Sequence, residues 1–276
     1  MTVIDHANFV RTRSIGYASD ILRSRRLILE LTHREFRSRH LGSALGFIWA
    51  FTHPAIMMLI YCLVFIYAWH PKDVAGKPYL IWILAGLVPW FLAADGIGGG
   101  ASAVTDNRFL VKKVVFRITL LPVVRLLSNL PVHLFLLAAV ICIFWARGVP
   151  PSWYTLQAIY YLLALLTFCL GCSLLLSAVV PFLKDLGQLV AVILQIAFWV
   201  TPLIWHLDHP SALPQTLVFL NPLAYIVEGY RDSLVYHVAF WHHWLITIYF
   251  WCVTFTMLLV GGLVFSRLRA HFADVL

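Results

Sequence analysis

The side chains that could do chemistry in this chain are scattered. Asp95, Asp106 and Asp185 lie far apart, and neither a DxD nor an HxxxxD pattern occurs, so no convergent acids or His/Asp pair offer glycosyl or acyl transfer. Cys169-Leu-Gly-Cys172 has the spacing of a redox CxxC, but it falls in an apolar run without the strand and soluble fold that such chemistry uses. Small apolar fillers one helical turn apart explain it better. His206, His209, His237, His242 and His243 show no compact ligand spacing, so interfacial anchoring is the reading and no metal is expected. Gly96-Ile-Gly-Gly-Gly-Ala101 loosely matches GxGxxA, yet it follows an apolar span and no acidic residue sits about 20 positions on. Close helix packing or a broken helix end accounts for it instead. No GxxxxGK[ST] phosphate loop is present, so energy for active work must come from elsewhere. Glu228, Arg231 and Asp232, one turn apart, are the ionisable set that spacing does bring together.

The elements that hold these groups are six apolar stretches near 45–69, 79–99, 119–146, 154–180, 187–205 and 244–266. A bilayer core takes about 20 apolar residues per helix. The expected fold is therefore an all-α integral membrane protein with six transmembrane helices. Composition agrees: 62% hydrophobic and 12% charged residues in 276 leave no room for a soluble catalytic domain. Sixteen of the 20 Lys and Arg fall in the N-terminal tail, 102–125, the Lys184 turn and the C-terminal tail. Basic connections stay cytoplasmic, so both termini are expected inside, with 70–78, 147–153 and 206–243 outside. The net charge of +8 is then an orientation signal, and no nucleic-acid partner is expected. The first 44 residues hold eight Arg and no short apolar core with a cleavage site, unlike a secretory signal. The division is a cytoplasmic tail over 1–44, a single six-helix transmembrane bundle over 45–266 and a cytoplasmic tail over 267–276.

Segment 20–40 is amphipathic, with Ile21, Leu22, Ile28, Leu29 and Phe36 on one side and Arg23, Arg26, Glu30, Arg34 and Arg37 on the other. Such a helix lies in the headgroup plane, as a plain anchor or with its polar face on a cytoplasmic partner. In the first span Phe47, Pro54, Met58, Tyr61 and Phe65 share a narrow face, which suits helix packing or channel lining. In the fifth span Gln188, Gln195, Phe198, Trp199 and Pro202 combine amides with rings. Amides in hydrocarbon need a partner, either a neighbouring helix or a hydroxylated substrate such as a sugar. On the cytoplasmic side Phe109 and Phe116, ringed by Arg108, Lys112, Lys113 and Arg117, form a second amphipathic segment that could dock on a soluble protein or rest on acidic lipid. In 206–243 the apolar run Gln215–Val227 has 13 residues, too short to span, and Asn221-Pro222 reads as an N-cap with proline at the first helical position. Two short helices that dip into the outer leaflet and return are expected, the second reaching Tyr236. An ionised group at bilayer depth costs about 2.5–3.5 kcal/mol or more, so Glu228 and Arg231 should pair.

Several motifs in order carry a resemblance. They are Arg39-His-Leu-Gly-Ser-Ala-Leu-Gly-Phe-Ile-Trp49 followed by Pro54, Gly86-Leu-Val-Pro-Trp-Phe91, Asn107-Arg-Phe-Leu-Val-Lys-Lys-Val114, Thr201-Pro202, Asn221-Pro222 with Arg231, and Phe265-Ser-Arg-Leu-Arg269. Together, from about residue 30 to the end, they resemble the permease subunits of type-2 ABC exporters of lipid-linked polysaccharide, whether O antigen, capsular polymer or teichoic acid. Arg117 departs from the proline such chains carry after the Lys-Val-Val-Phe run. The resemblance implies a homodimer in the bacterial inner membrane bound to two copies of a separate ATPase, which would hold ATP and Mg. This chain would hold no cofactor and catalyse nothing. It also implies an interface helix at 20–40, a coupling helix at 107–117 working with Lys184 and Asp185, a substrate path along the first and fifth spans, and periplasmic gate helices at 213–236 bearing Glu228 and Arg231. A drug or small-lipid exporter of the same superfamily is the nearest alternative.

Overall fold

The structure, a computed structural model, describes residues 25–39, 46, 48–69, 73–74, 76–111, 117–206 and 215–276. Apart from an isolated bridge between Val74 and Lys77, the regular structure among them is helical. Helix α1 covers Arg25–Ser38, α2 Ile48–Trp69, α3 Tyr79–Ala101, α4 Leu121–Leu127, α5 Leu130–Ala146, α6 Gln157–Val179, α7 Asp185–Val200, α8 Pro222–Arg231 and α9 Trp244–Leu268. Phe47, Lys112, Lys113, Phe116 and His209 lie outside the described residues, as do Ile21, Leu22 and Arg23.

Among the described residues, five segments are long and apolar enough to cross a bilayer: Ile48–Tyr67, Tyr79–Ala101, Ile118–Ala146, Trp153–Val179 and Phe240–Val275. The stretch expected as the fifth of six spans, 187–205, is instead a helix of 16 residues, Asp185–Val200. At 1.5 Å per residue that is about 24 Å, against a hydrocarbon core of about 30 Å. Pro202 explains the early stop, because it disfavours the helical region at the residue before it; Thr201 is extended, with ψ 136°. Thr201–Trp205 then follow as bends.

Helix α3 is the hub of the bundle. Ile81, Trp82, Ile83, Ala85, Leu87 and Val88 are buried along it, packed against α2, α5, α6, α7 and α8. The glycines at its far end serve packing: a Cβ on Gly100 would lie 2.0 Å from Ser173 Oγ of α6, so only a bare backbone fits there. Helix α1 lies against α4, burying Ile28 beside Leu120, Val123 and Val124, while the Phe36 ring meets Phe51 of α2 at 6.2 Å. Leu29, expected on the apolar side, is 67% exposed, since α4 covers only the narrow edge carrying Ile28.

The cap predicted at Asn221 is present: Leu223 N donates to Asn221 Oδ1 at 3.0 Å and Pro222 occupies the first turn. The helix continues beyond Arg231 as a wide π-turn over Asp232–Tyr236 and stops at His237, whose φ is +58°. Both ends of this segment lie at one end of the bundle. At its start Asn221 Nδ2 donates to Thr201 Oγ1 at 2.8 Å, just past α7. At its finish Gln157 Nε2 donates to the Val238 carbonyl and Phe240 N donates to Gln157 Oε1, each at 3.0 Å, where α6 begins. Between them Tyr230 reaches His133 Nε2 at 2.9 Å, near the middle of the Ile118–Ala146 segment.

Close approach of α8 to α6 generates a prediction. A Cβ on Gly229 would meet the Tyr161 ring at 2.0 Å, whereas one on Gly262 of α9 meets nothing within 4 Å. Gly229→Ala should destabilise the fold by about 1–3 kcal/mol and Gly262→Ala should leave it unchanged, read as thermal unfolding of the purified protein.

Candidate functional site

Arg231 is fully buried, and its guanidinium is met by acceptors inside the chain. Nη1 donates to the Pro202 carbonyl at 2.7 Å and to Glu228 Oε1 at 2.6 Å, Nη2 to the Leu203 carbonyl at 3.0 Å, and Nε to the Trp82 carbonyl at 3.3 Å. Its Cζ also stands 3.4 Å from the centroid of the Trp82 ring, a cation–π arrangement. Two of these acceptors exist because α7 ends early: Pro202 and Leu203 follow the break and their carbonyls have left the helical ladder. Space for the head comes from Gly86, where a Cβ would lie 2.8 Å from Nη2. The expected Glu228–Arg231 pair is therefore formed, inside a larger clasp joining α3, the end of α7 and α8.

Aromatic residues of α2 and α7 meet on α3. Tyr61 stacks on Phe198 at 5.1 Å between centroids and approaches Phe91 at 6.4 Å, and Phe198 meets Trp90 at 5.5 Å. Met58, Phe65 and Phe198 are buried within the single chain, as part of its main hydrophobic core. Tyr61 is half-buried. Gln188, Gln195 and Trp199 occupy the exposed side of α7, where neither amide is hydrogen-bonded among the described residues. The same side carries exposed Ile193 and Ile196, and α2 exposes Leu59, Ile60, Leu63 and Val64.

The opposite end of the bundle carries an ion network that spacing did not reveal. Glu35 of α1 accepts from Arg125 Nη1 and pairs with Arg39 Nε at 3.3 Å. Arg125 Nη2 also meets Asp106 Oδ2 at 3.2 Å, and Arg39 donates to Asn129 Oδ1 and Ser128 Oγ, both at 2.9 Å. Burial, and next the neighbouring Arg125, lower the pKa of Arg39 from its ordinary value, while Glu35 opposes them. The one available signal was Arg125 itself, an ionisable residue inside an apolar run. At this end Arg108, Phe109, Lys184 and Asp185 are all exposed. The helix expected over 107–117 is described for one turn, Arg108–Val111.

The clasp separates the two members of its ion pair. Arg231→Met would orphan the Pro202 and Leu203 carbonyls and strand Glu228, costing at least about 3 kcal/mol. Glu228, 21% exposed at its side chain, is less demanding, so Glu228→Gln should cost about 1–2 kcal/mol. Exchanging the two residues should fail to restore stability, because an arginine at 228 cannot reach the carbonyls that Arg231 serves. Thermal unfolding of the three variants checks this order.

Comparison with known proteins agrees with this architecture. Residues 26–235 match the ABC-2 type transporter family. The chain is 29% identical to the O-antigen export system permease protein RfbA of Myxococcus xanthus over 81% of its own length and 85% of the relative's. It is 24% identical to an RfbA permease of Klebsiella pneumoniae over 95% and 97%. A more distant relative, the polysialic acid transport protein KpsM of Escherichia coli, is 20% identical over 73% and 78%. A match over most of the chain, on a bundle of membrane-length apolar helices, identifies it: this chain is a membrane-embedded permease that belongs to the ABC-2 type transporter family.

Proposed function

We propose that this permease is the transmembrane subunit of an ATP-driven exporter of lipid-linked polysaccharide, with O antigen as the cargo, in the bacterial inner membrane. The observation that carries the proposal is the near full-length match to O-antigen export permeases, 95% of this chain and 97% of the relative. Two copies of the chain assemble with two copies of a cytoplasmic ATPase that binds ATP and Mg. Six spans result when α7 crosses with its Thr201–Trp205 extension, both termini lie inside, and the 215–238 segment is re-entrant from the outside. The entry and exit of that segment at one end of the bundle support this reading.

In this mechanism the ATPases close on ATP and push on the exposed Arg108, Phe109, Lys184 and Asp185, with Lys112 and Lys113 in the same docking segment. Helix α1, tied to Arg125 through Glu35, follows. The path for the glycan forms where α2 and α7 of one protomer face its partner. Gln188, Gln195 and Trp199 supply amides and an aromatic ring to sugar hydroxyls and C–H faces, which is why they are exposed on α7 in the single chain. The α8 clasp forms the outer gate. The KpsM relative favours a second reading, a capsular polymer as cargo. Mass spectrometry of glycolipid bound to the purified permease–ATPase complex separates the two.

Cells lacking the permease should accumulate lipid-linked polymer on the cytoplasmic side; altered drug resistance with normal surface glycan would overturn the proposal. Gln195→Leu combined with Trp199→Ala should lower surface glycan at least about ten-fold, as expected if about 1.4 kcal/mol of favourable contact is lost along the path. Co-purification of the ATPase should be unchanged in that variant.

A further inference from the structure

A cavity lies behind the clasp, away from the α2 and α7 faces. It measures about 260 Å³ and is lined by α6, α8, the start of α9 and the turn before α8. Tyr161, Phe219 and Tyr225 supply its aromatic walls, and Glu228, Asp232 and His243 its polar ones. Glu228 is already neutralised by Arg231 at 2.6 Å. Asp232 is not: it is 7% exposed, and its ion-pair partner among the described residues is His243 Nε2 at 3.5 Å, on a side chain that is 49% exposed. Burial, and next the Glu228 charge, push the Asp232 carboxyl up to about 7 despite Arg231. A buried carboxylate short of counter-charge beside aromatic faces is the environment that holds an organic cation.

We propose that this cavity binds the primary ammonium of an aminophospholipid headgroup from the outer leaflet. The cavity is too small for a length of glycan, and the Asp232 carboxylate rewards a cation that donates N–H bonds, which a quaternary ammonium cannot do. A lipid is the source because the surroundings are apolar and open: Leu220, Trp241, Trp244 and Leu245 are 57–64% exposed around the start of α9. That is the aromatic and aliphatic belt expected at a headgroup boundary. Held by Asp232, the headgroup fastens α8 to α9 and makes the outer gate sensitive to lipid composition. The inference rests on the outer-side placement of α8 in the transport reading.

The test reconstitutes the permease–ATPase complex into nanodiscs of equal phosphatidylethanolamine, phosphatidylcholine and phosphatidylglycerol, and counts the lipids retained after detergent extraction by native mass spectrometry. Phosphatidylethanolamine should be enriched about five-fold over both others. Asp232→Asn should abolish the preference, Asp232→Glu should keep part of it, and Phe219→Leu should weaken it should the asparagine variant fail to fold. Equal retention of the three lipids, or a preference indifferent to both Asp232→Asn and Phe219→Leu, overturns the proposal. So does displacement of the lipid by millimolar ethanolamine, which would make a soluble amine the ligand. Glycan export measured in the same complexes reports separately on the transport reading: intact export without lipid preference refutes this inference alone.

Discussion

A guanidinium sealed from water has to be satisfied by protein, and Arg231 sets that constraint on the whole of one end of this bundle. Its burial is tolerable because four independent features converge on it: the carbonyls freed beyond Thr201, the Trp82 face, the missing side chain at Gly86 and the Glu228 carboxylate. Each would otherwise be a defect. A helix that ends early leaves carbonyls without partners, a glycine in a packed helix leaves a gap, and a carboxylate in an apolar cup lacks a counter-charge. Together they fix where α8 sits and how α7 ends.

Helix α3 connects this clasp to the other charged end. Trp82 and Gly86 hold Arg231, and further along the same helix a Cβ on Gly99 would lie 3.0 Å from Arg125 Nε, beside the pair with Glu35. One continuous element thus touches the arginine of the α8 clasp and the arginine that docks α1. In the transport reading, a shift of α1 or the Arg108–Val111 turn acts on α3 directly, and α3 bears on the gate. Both arginines sit against a glycine, so both contacts depend on backbone approach rather than on adaptable side chains.

Local signals made part of this legible from the residues. The α8 cap at Asn221-Pro222, its passage to Tyr236 and the Glu228–Arg231 pair follow from neighbours a few positions apart, and the long apolar runs follow from hydropathy. Partners remote in the chain were not readable. Nothing near Arg125 points to Glu35, 90 residues away, and nothing near Arg231 points to the carbonyls at 202 and 203. The α2 stripe of Met58, Tyr61 and Phe65 also has two outlets, an open path or a neighbouring helix, and periodicity cannot choose between them. Within the single chain, Tyr61 packs on Phe91 and Phe198. The shortness of α7 was written in Thr201-Pro202, but hydropathy continues past the break and hides it.

Thiol accessibility in intact cells tests the central claim, that the clasped segment enters and leaves the membrane on the outer side while the Arg108 and Lys184 turns face the ATPase. In a cysteine-free background, single cysteines at Leu220 and Trp241, both exposed in the structure, bracket the segment. Both should react with a membrane-impermeant maleimide added outside, once the outer barrier is opened, while cysteines at Phe109 and Lys184 should react only after the inner membrane is permeabilised. Labelling of 220 and 241 from opposite sides would contradict the account, since α8 would then cross the membrane and the Arg231 clasp could not be an outer gate.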